Sequence, residues 1–221
     1  MTGTSFRLGA IAATLAIATT LSSLSGCAAI VVGGAVVGGT LMATDRRSSG
    51  TQVDDQTIEL KAGGRIKEAI GDRGHINVTS YNRIALITGE VPTEADKVAV
   101  EQAIARIDNV RSTVNELMVG FSSSLTARSN DTLVSTKVKA TLVDAGDVSA
   151  GAFKIVTERN IVYLMGRVTE AEASRAVDLT SRISGVQKVV RVFEIVTPAE
   201  LATLQPLGPP TNTAKPASNK P

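Results

Sequence analysis

The sequence is short of aromatic residues, of cysteine and of histidine. Tryptophan is absent, aromatics make up 3% of the 221 residues, and the only cysteine and histidine are Cys27 and His75. With 43% hydrophobic residues, any core must be built mostly of Val, Ile, Leu and Ala. One cysteine excludes a disulfide within the chain, and no Cys/His metal spacing exists. A catalytic triad would have to use His75 beside a nucleophile the sequence does not identify; His75 reads instead as an exposed residue at the start of a strand. The glycine pairs Gly33-Gly34 and Gly38-Gly39 follow no strand and precede no Gly-Lys-Ser/Thr, so no phosphate loop is present. With 23 basic and 21 acidic residues, bulk nucleic-acid binding is disfavoured. The expectation is a non-enzyme with no cofactor, no metal and no nucleic-acid partner.

What is there begins with a targeting segment. Arg7 is the only charge before Cys27, and Leu8 to Leu21 is an apolar run broken only by small or hydroxyl residues. That is a secretory h-region, shorter than the roughly 20 residues a membrane span needs. Leu24-Ser25-Gly26-Cys27 then resembles the lipobox of bacterial lipoproteins, where the cysteine thiol is acylated and residues 1–26 are removed. Multiple acyl chains give stable anchoring. Ala28, rather than Asp, follows the cysteine, which by analogy directs the protein to the outer membrane, facing the periplasm.

Residues 27–53 read as the acylated cysteine and a Gly-rich linker, either a tether or a segment lying on the lipid surface. Gly34 and Gly38 also have the spacing of a small-residue helix-packing face. At the other end, five of the seven prolines fall between Pro206 and Pro221, and residues 198–221 read as a disordered tail.

Between these ends lies a repeat. Asn77-Val-Thr-Ser-Tyr-Asn-Arg-Ile-Ala-Leu-Ile-Thr-Gly89 matches Lys154-Ile-Val-Thr-Glu-Arg-Asn-Ile-Val-Tyr-Leu-Met-Gly166 at an offset of 77, and Thr93-Glu94-Ala95 matches Thr169-Glu170-Ala171 at 76. Each copy opens with a helix, apolar at Ile58, Ala62, Ile66 and Ile70 or at Val134, Val138 and Leu142. Two alternating strands follow, joined across Asn82-Arg83 or Arg159-Asn160 as a hairpin that ends at the glycine. A second helix buries Val100, Ala103, Ile104 and Ile107, or Ala173, Ala176, Val177, Thr180 and Ile183. The last strand runs from Val110 to Val119 or from Val186 to Val196. The fold class is therefore α+β: two tandem αββαβ units over 54–120 and 130–197, joined by a linker at 121–129. In each, two helices cover one face of a three-stranded sheet and leave the other for water or the sister domain.

This pattern resembles the BON domain, a periplasmic αββαβ module, and the whole resembles dual-BON outer-membrane lipoproteins. Ile76-Asn-Val-Thr-Ser-Tyr81, Leu86-Ile-Thr-Gly-Glu-Val91 and Val162-Tyr-Leu-Met-Gly-Arg-Val-Thr-Glu-Ala-Glu-Ala173 carry the likeness. The stretches Ala43 to Asp55 and Ser129 to Thr132, read as loops, add to it. The resemblance implies no catalysis, phospholipid binding through the second domain, a role in outer-membrane integrity, and recruitment to division sites.

The residues can be tested against that implication. Leu133 lies off the Val134/Val138/Leu142 stripe, and Leu133, Lys137 and Ala140 share an outward face flanked by Thr136 and Val143. An apolar face carrying a lysine suits an anionic phospholipid surface. The alternative is that Leu133 packs on the sister domain and Lys137 is an ordinary solvated lysine. The first domain has Thr57 and Lys61 at the matching positions, with Gly63-Gly64 weakening its helix. It holds 8 basic against 11 acidic residues, and the second domain 9 against 8, so the second is less repelled by anionic lipid. The best-known member of the family has a tryptophan in place of Leu133, so the aromatic interfacial anchor is missing here. A competing reading is an adaptor whose exposed sheet faces dock outer-membrane assembly proteins. A third, a soluble-ligand or peptidoglycan binder, lacks an aromatic platform.

Overall fold

A computed structural model describes residues 45–204. Cys27, the segment before it, most of the Gly-rich linker and the Pro-rich stretch from residue 205 lie outside the described residues. Among those described, no helix is long and apolar enough to cross a membrane.

Two αββαβ units follow one another as expected. The first comprises α1 (Ser49–Ile70), β1 (His75–Tyr81), β2 (Ile84–Val91), α2 (Glu94–Ala105) and β3 (Ser112–Val119). The second comprises α3 (Leu125–Ala145), a short 3-10 turn, β4 (Phe153–Glu158), β5 (Ile161–Val168), α4 (Glu170–Ser181) and β6 (Lys188–Ile195). A short helix, α5 (Pro198–Leu204), follows. In each sheet the middle strand pairs antiparallel with the strand before it and parallel with the one after, in the order β1-β2-β3 and β4-β5-β6. The parallel step requires a crossover, which α2 and α4 supply.

Several boundaries differ from the sequence reading, each for a local reason. α1 and α3 begin at Ser49 and Leu125, because Ser48 and Ser124 cap them by accepting the N–H groups of Thr51 and Ala127. The stretches read as loops, up to Asp55 and Ser129 to Thr132, are thus largely helical, and the 121–129 linker is partly helix. α1 also runs unbroken through Gly63-Gly64. β3 and β6 start at Ser112 and Lys188, two residues late, because Val110 and Val186 close turns onto Ile107 and Ile183 through Asn109 and Gly185, both at positive φ. The strands β2 and β5 continue two residues past Gly89 and Gly166. A Cβ there would lie 2.0 Å from the His75 carbonyl oxygen or 2.5 Å from that of Ala152, so glycine is where the neighbouring strand comes closest. α5 replaces the first part of the expected disordered tail: Thr197 and Glu200 form a reciprocal cap, with Pro198 at the first helical position.

The helix side of the first sheet is packed with Ile58, Ala62, Ile87, Val91, Val100 and Ile104. The opposite faces of the two sheets meet each other. Tyr81, Leu86, Tyr163, Met165 and Val192 form this seam, with Ile84, Val114 and Val156 around it. The sister domain, not water, covers the second face of each sheet.

Each hairpin turn has both central residues at positive φ, Asn82 and Arg83 in one, Arg159 and Asn160 in the other, the two-residue turn that matches strand twist. A buried aspartate from the opening helix sits under each. Asp131 accepts the N–H groups of Arg159 and Asn160 at 2.9 and 2.8 Å. Asp55 accepts those of Asn82 and Arg83 at 2.8 and 2.7 Å, and also the Ser80 hydroxyl.

Candidate functional site

The 21-residue helix α3 has two unlike sides. Asp131, Val134, Val138 and Leu142 point into the domain. On the opposite side Leu125, Ser129, Leu133, Thr136, Ala140 and Val143 are all exposed, at the i, i+4, i+7 or i+8 spacings that keep residues on one face. Leu125 is 75% exposed, Leu133 60% and Val143 50%. Leu133 therefore does not pack on the sister domain. All five residues expected on the binding face (Leu133, Thr136, Lys137, Ala140, Val143) lie on the outside of one helix.

The hydroxyls on this side turn back on the helix. Ser129 donates to the Leu125 carbonyl, Thr132 to Arg128 and Thr136 to Thr132, at 2.9 to 3.1 Å. A hydroxyl already bonded to its own backbone presents less unmet polarity to an apolar medium, so the stripe is drier than its composition suggests. Only Lys137 and Asp144 are charged among the exposed residues of α3. Lys137 makes no ion pair among the described residues, so its ammonium is available. Lys139, two positions on, reaches inward to the Ala150 carbonyl at 2.5 Å, and burial holds its pKa below the ordinary lysine value.

The equivalent helix of the first domain differs. Thr57, at the position of Leu133, is half-buried. Lys61, at that of Lys137, pairs with Asp108 at 2.8 Å. Arg65, Lys67 and Glu68 stud the exposed side, so the two opening helices share a fold and not a surface.

The sequence reading missed the upper part of the stripe. Phe121, just before α3, is 97% exposed, and Leu125 begins the helix. The signal for Leu125 is its spacing through Ser129 to Leu133, which an apolar stripe counted from Val134 does not reach. An exposed aromatic is thus present, though not at position 133.

The remaining chemistry-bearing groups lie at the seam. His75 opens β1 and is not simply exposed: Arg128 Nη1 lies 3.4 Å from Nδ1 and the Asn77 amide 3.2 Å from Nε2. Glu158 is buried beside them. Its Oε2 accepts from Asn77 at 3.0 Å, its Oε1 has no partner, and burial pushes its pKa above the ordinary carboxylate range. Among the described residues, no group of three His, Cys, Asp or Glu side chains is placed to hold a metal.

Comparison with known proteins fits this architecture. The BON domain family model matches residues 54–120 and 130–197. Outer membrane lipoprotein DolP of Haemophilus influenzae is 37% identical over 173 residues, 77% of this chain and 89% of that protein. A 21 kDa hemolysin of Actinobacillus pleuropneumoniae is 31% identical over 154 residues, 69% of this chain and 79% of that one. Among solved structures, CdsD, a structural protein of the type III secretion system of Chlamydia trachomatis, is 12% identical, covering 71% of this chain and 99% of that one, with a TM-score of 0.27. That likeness is too weak to bear on the fold.

Proposed function

Because the chain belongs to the BON-domain family, as a tandem-BON outer-membrane lipoprotein like DolP, we propose that it is a non-catalytic module that rests on an anionic phospholipid surface through the outward face of α3 and supports outer-membrane integrity, with division sites as one place of action. The observation that carries this is the unbroken uncharged stripe along α3, bordered by Lys137. Apolar groups enter the interface and the ammonium meets lipid phosphates. Phe121, exposed in the segment just before α3, supplies the aromatic anchor that position 133 lacks.

Acylation at Cys27 holds the protein at the membrane, so α3 need supply only orientation and modest affinity. A Cys27→Ala chain is expected to leave the membrane fraction and to take up no fatty-acid label; a labelled mutant would refute the anchor. An adaptor for outer-membrane assembly proteins would have to use helices or loops, since the sheet faces are closed against each other.

The test of the surface is vesicle co-sedimentation of the acyl-free chain. Burial of one leucine is worth about 1.5–3 kcal/mol and a lysine near anionic lipid about 1 kcal/mol. Leu133→Glu is therefore expected to weaken binding to phosphatidylglycerol vesicles about tenfold or more, and Thr57→Glu to leave it nearly unchanged. Equal binding by wild type and a folded Leu133→Glu removes α3 from the mechanism.

A further inference from the structure

At one end of the seam the guanidinium groups of Arg111 and Arg167 share one carboxylate, Glu194, and Arg83 lines the same cavity. Arg111 Nη2 lies 2.7 Å from Glu194 Oε2, and Arg167 Nε lies 3.3 Å from Oε1. The Asn82 amide also donates to Oε2 at 2.7 Å. Arg167 Nε is buried and finds no aligned acceptor. Arg83 has Asp54 as its nearest carboxylate, at 3.9 Å, beyond hydrogen-bond range. Burial alone would raise the Glu194 carboxyl, but the hydrogen bonds from Arg111 and Asn82 outweigh it and hold the group below the ordinary range, so Glu194 is charged at neutral pH. Three permanent positive charges thus face two carboxylates, Glu194 and the more distant Asp54, which leaves one in surplus.

These arginines line a cavity of about 660 Å³. Arg46 and Arg47 also line it, but each is satisfied: Arg46 forks onto Glu172, and Arg47 is held by Asp45 and Asp55. The surplus of donors thus belongs to Arg83, Arg111 and Arg167. Arg83 and Arg111 are about half exposed and can swing toward a ligand without disturbing the core.

The repeat shows that the fold does not demand this charge. At the matching positions of the other copy stand Asn160 for Arg83, Gln187 for Arg111 and Glu90 for Arg167. One end of the seam thus carries three arginines, and the equivalent end a buried carboxylate, Glu90, with the single arginine Arg159 beside it.

We infer that the Arg83–Arg111–Arg167 cavity is a binding site for a phosphate-bearing anion. Guanidinium forks match phosphate oxygens in pairs, and the volume leaves room for substituents on the phosphate. A phospholipid headgroup and free phosphate share this chemistry. The residues lining the cavity begin at Asp45, 18 residues after Cys27. Such a chain spans at most ~60–65 Å, so with Cys27 acylated the cavity stays within reach of headgroups. The inference does not rest on the α3 stripe.

The test is titration of the acyl-free mature chain, read at the arginine Nε–H signals by NMR, with dihexanoyl phosphatidylglycerol below its micelle concentration and, separately, with inorganic phosphate. Saturable shifts with the lipid, weakened about tenfold or more in Arg83→Gln/Arg111→Gln as two charge-assisted contacts are lost, support a headgroup site. Saturation by inorganic phosphate with no tighter binding of the lipid supports the same site with free phosphate as its ligand. Leu133→Glu is expected to keep the shifts while losing vesicle binding, which separates this site from the α3 surface. No saturable shift with either probe, or the same shifts in the folded double variant, overturns the proposal.

Discussion

Asp55 and Asp131 stand at the same position of the two repeats, and each accepts both backbone N–H groups of the hairpin turn it supports. The two are not equally loaded. Asp55 also takes the Ser80 hydroxyl and pairs with Arg47 at 2.8 Å. Hydrogen bonds to a charged group contribute about 1.5–3 kcal/mol. Asp131→Ala is therefore expected to cost about 2 kcal/mol by urea unfolding, and Asp55→Ala distinctly more. Equal losses would mean that Arg47 and Ser80 add nothing.

Gly63 and Gly64 sit in mid-helix, and beyond the backbone of their own helix and their chain neighbours no atom lies within 4 Å of an added Cβ. Neither has positive φ, so alanine fits without strain. Each Gly→Ala change is expected to stabilise the protein by roughly 0.5–1 kcal/mol, raising the urea midpoint. A loss would show that this stretch of α1 must give way in function or contacts a partner.

Glu158 is buried with one oxygen unpartnered, and its pKa is raised. A raised carboxylate penalises the native state at neutral pH. That penalty is relieved as pH falls through the folded value toward the ordinary carboxylate range. Glu158→Gln keeps an acceptor for Asn77 and carries no charge. It is expected to be more stable than wild type at pH 7, with the gap closing on acidification. Unfolding midpoints from pH 4 to 7.5 measure it; a constant gap across that range would exclude titration of Glu158 as the cause.

Phe121 is almost wholly exposed at the head of α3. Phe121→Ser is expected to reduce binding of the acyl-free chain to phosphatidylglycerol vesicles severalfold, by lost interfacial burial of about 1–2 kcal/mol, and to leave thermal unfolding unchanged. If vesicle binding is unaltered, the membrane contact stops short of the helix N-terminus.

The sequence made the repeat legible because alternation and the i, i+4 stripe record which sides are buried. The stripe does not end at Ile58 or Val134, however; it continues upstream through Asp55 and Asp131, which are buried but polar, and a count of apolar residues stops before them. The adjacent apolar residues Leu86 and Ile87 signal a strand covered on both faces, but not what covers it. The face carrying Leu133, Thr136, Lys137, Ala140 and Val143 followed from helix geometry, whereas the cavity arginines come from a hairpin turn, a strand entry and a strand of the other repeat. Nothing local in the sequence brings them together.

The sheet-to-sheet seam has a consequence for how the chain holds together. Tyr81 and Leu86 are dry only because Tyr163, Met165 and Val192 face them, so each half is the other's solvent shield. A lone repeat would carry a bare aromatic and aliphatic sheet and would gain by pairing with another half, in the same chain or in a neighbouring one. The halves are therefore expected to unfold in a single transition, and a hinge at the Gly120–Ser124 connector would let two molecules exchange halves. The chain is, in effect, a dimer written on one polypeptide, and the covalent link frees the two halves to diverge: one carries the uncharged helix face, and the ends of their junction differ, with Arg83, Arg111 and Arg167 at one and Glu90 with Arg159 at the other.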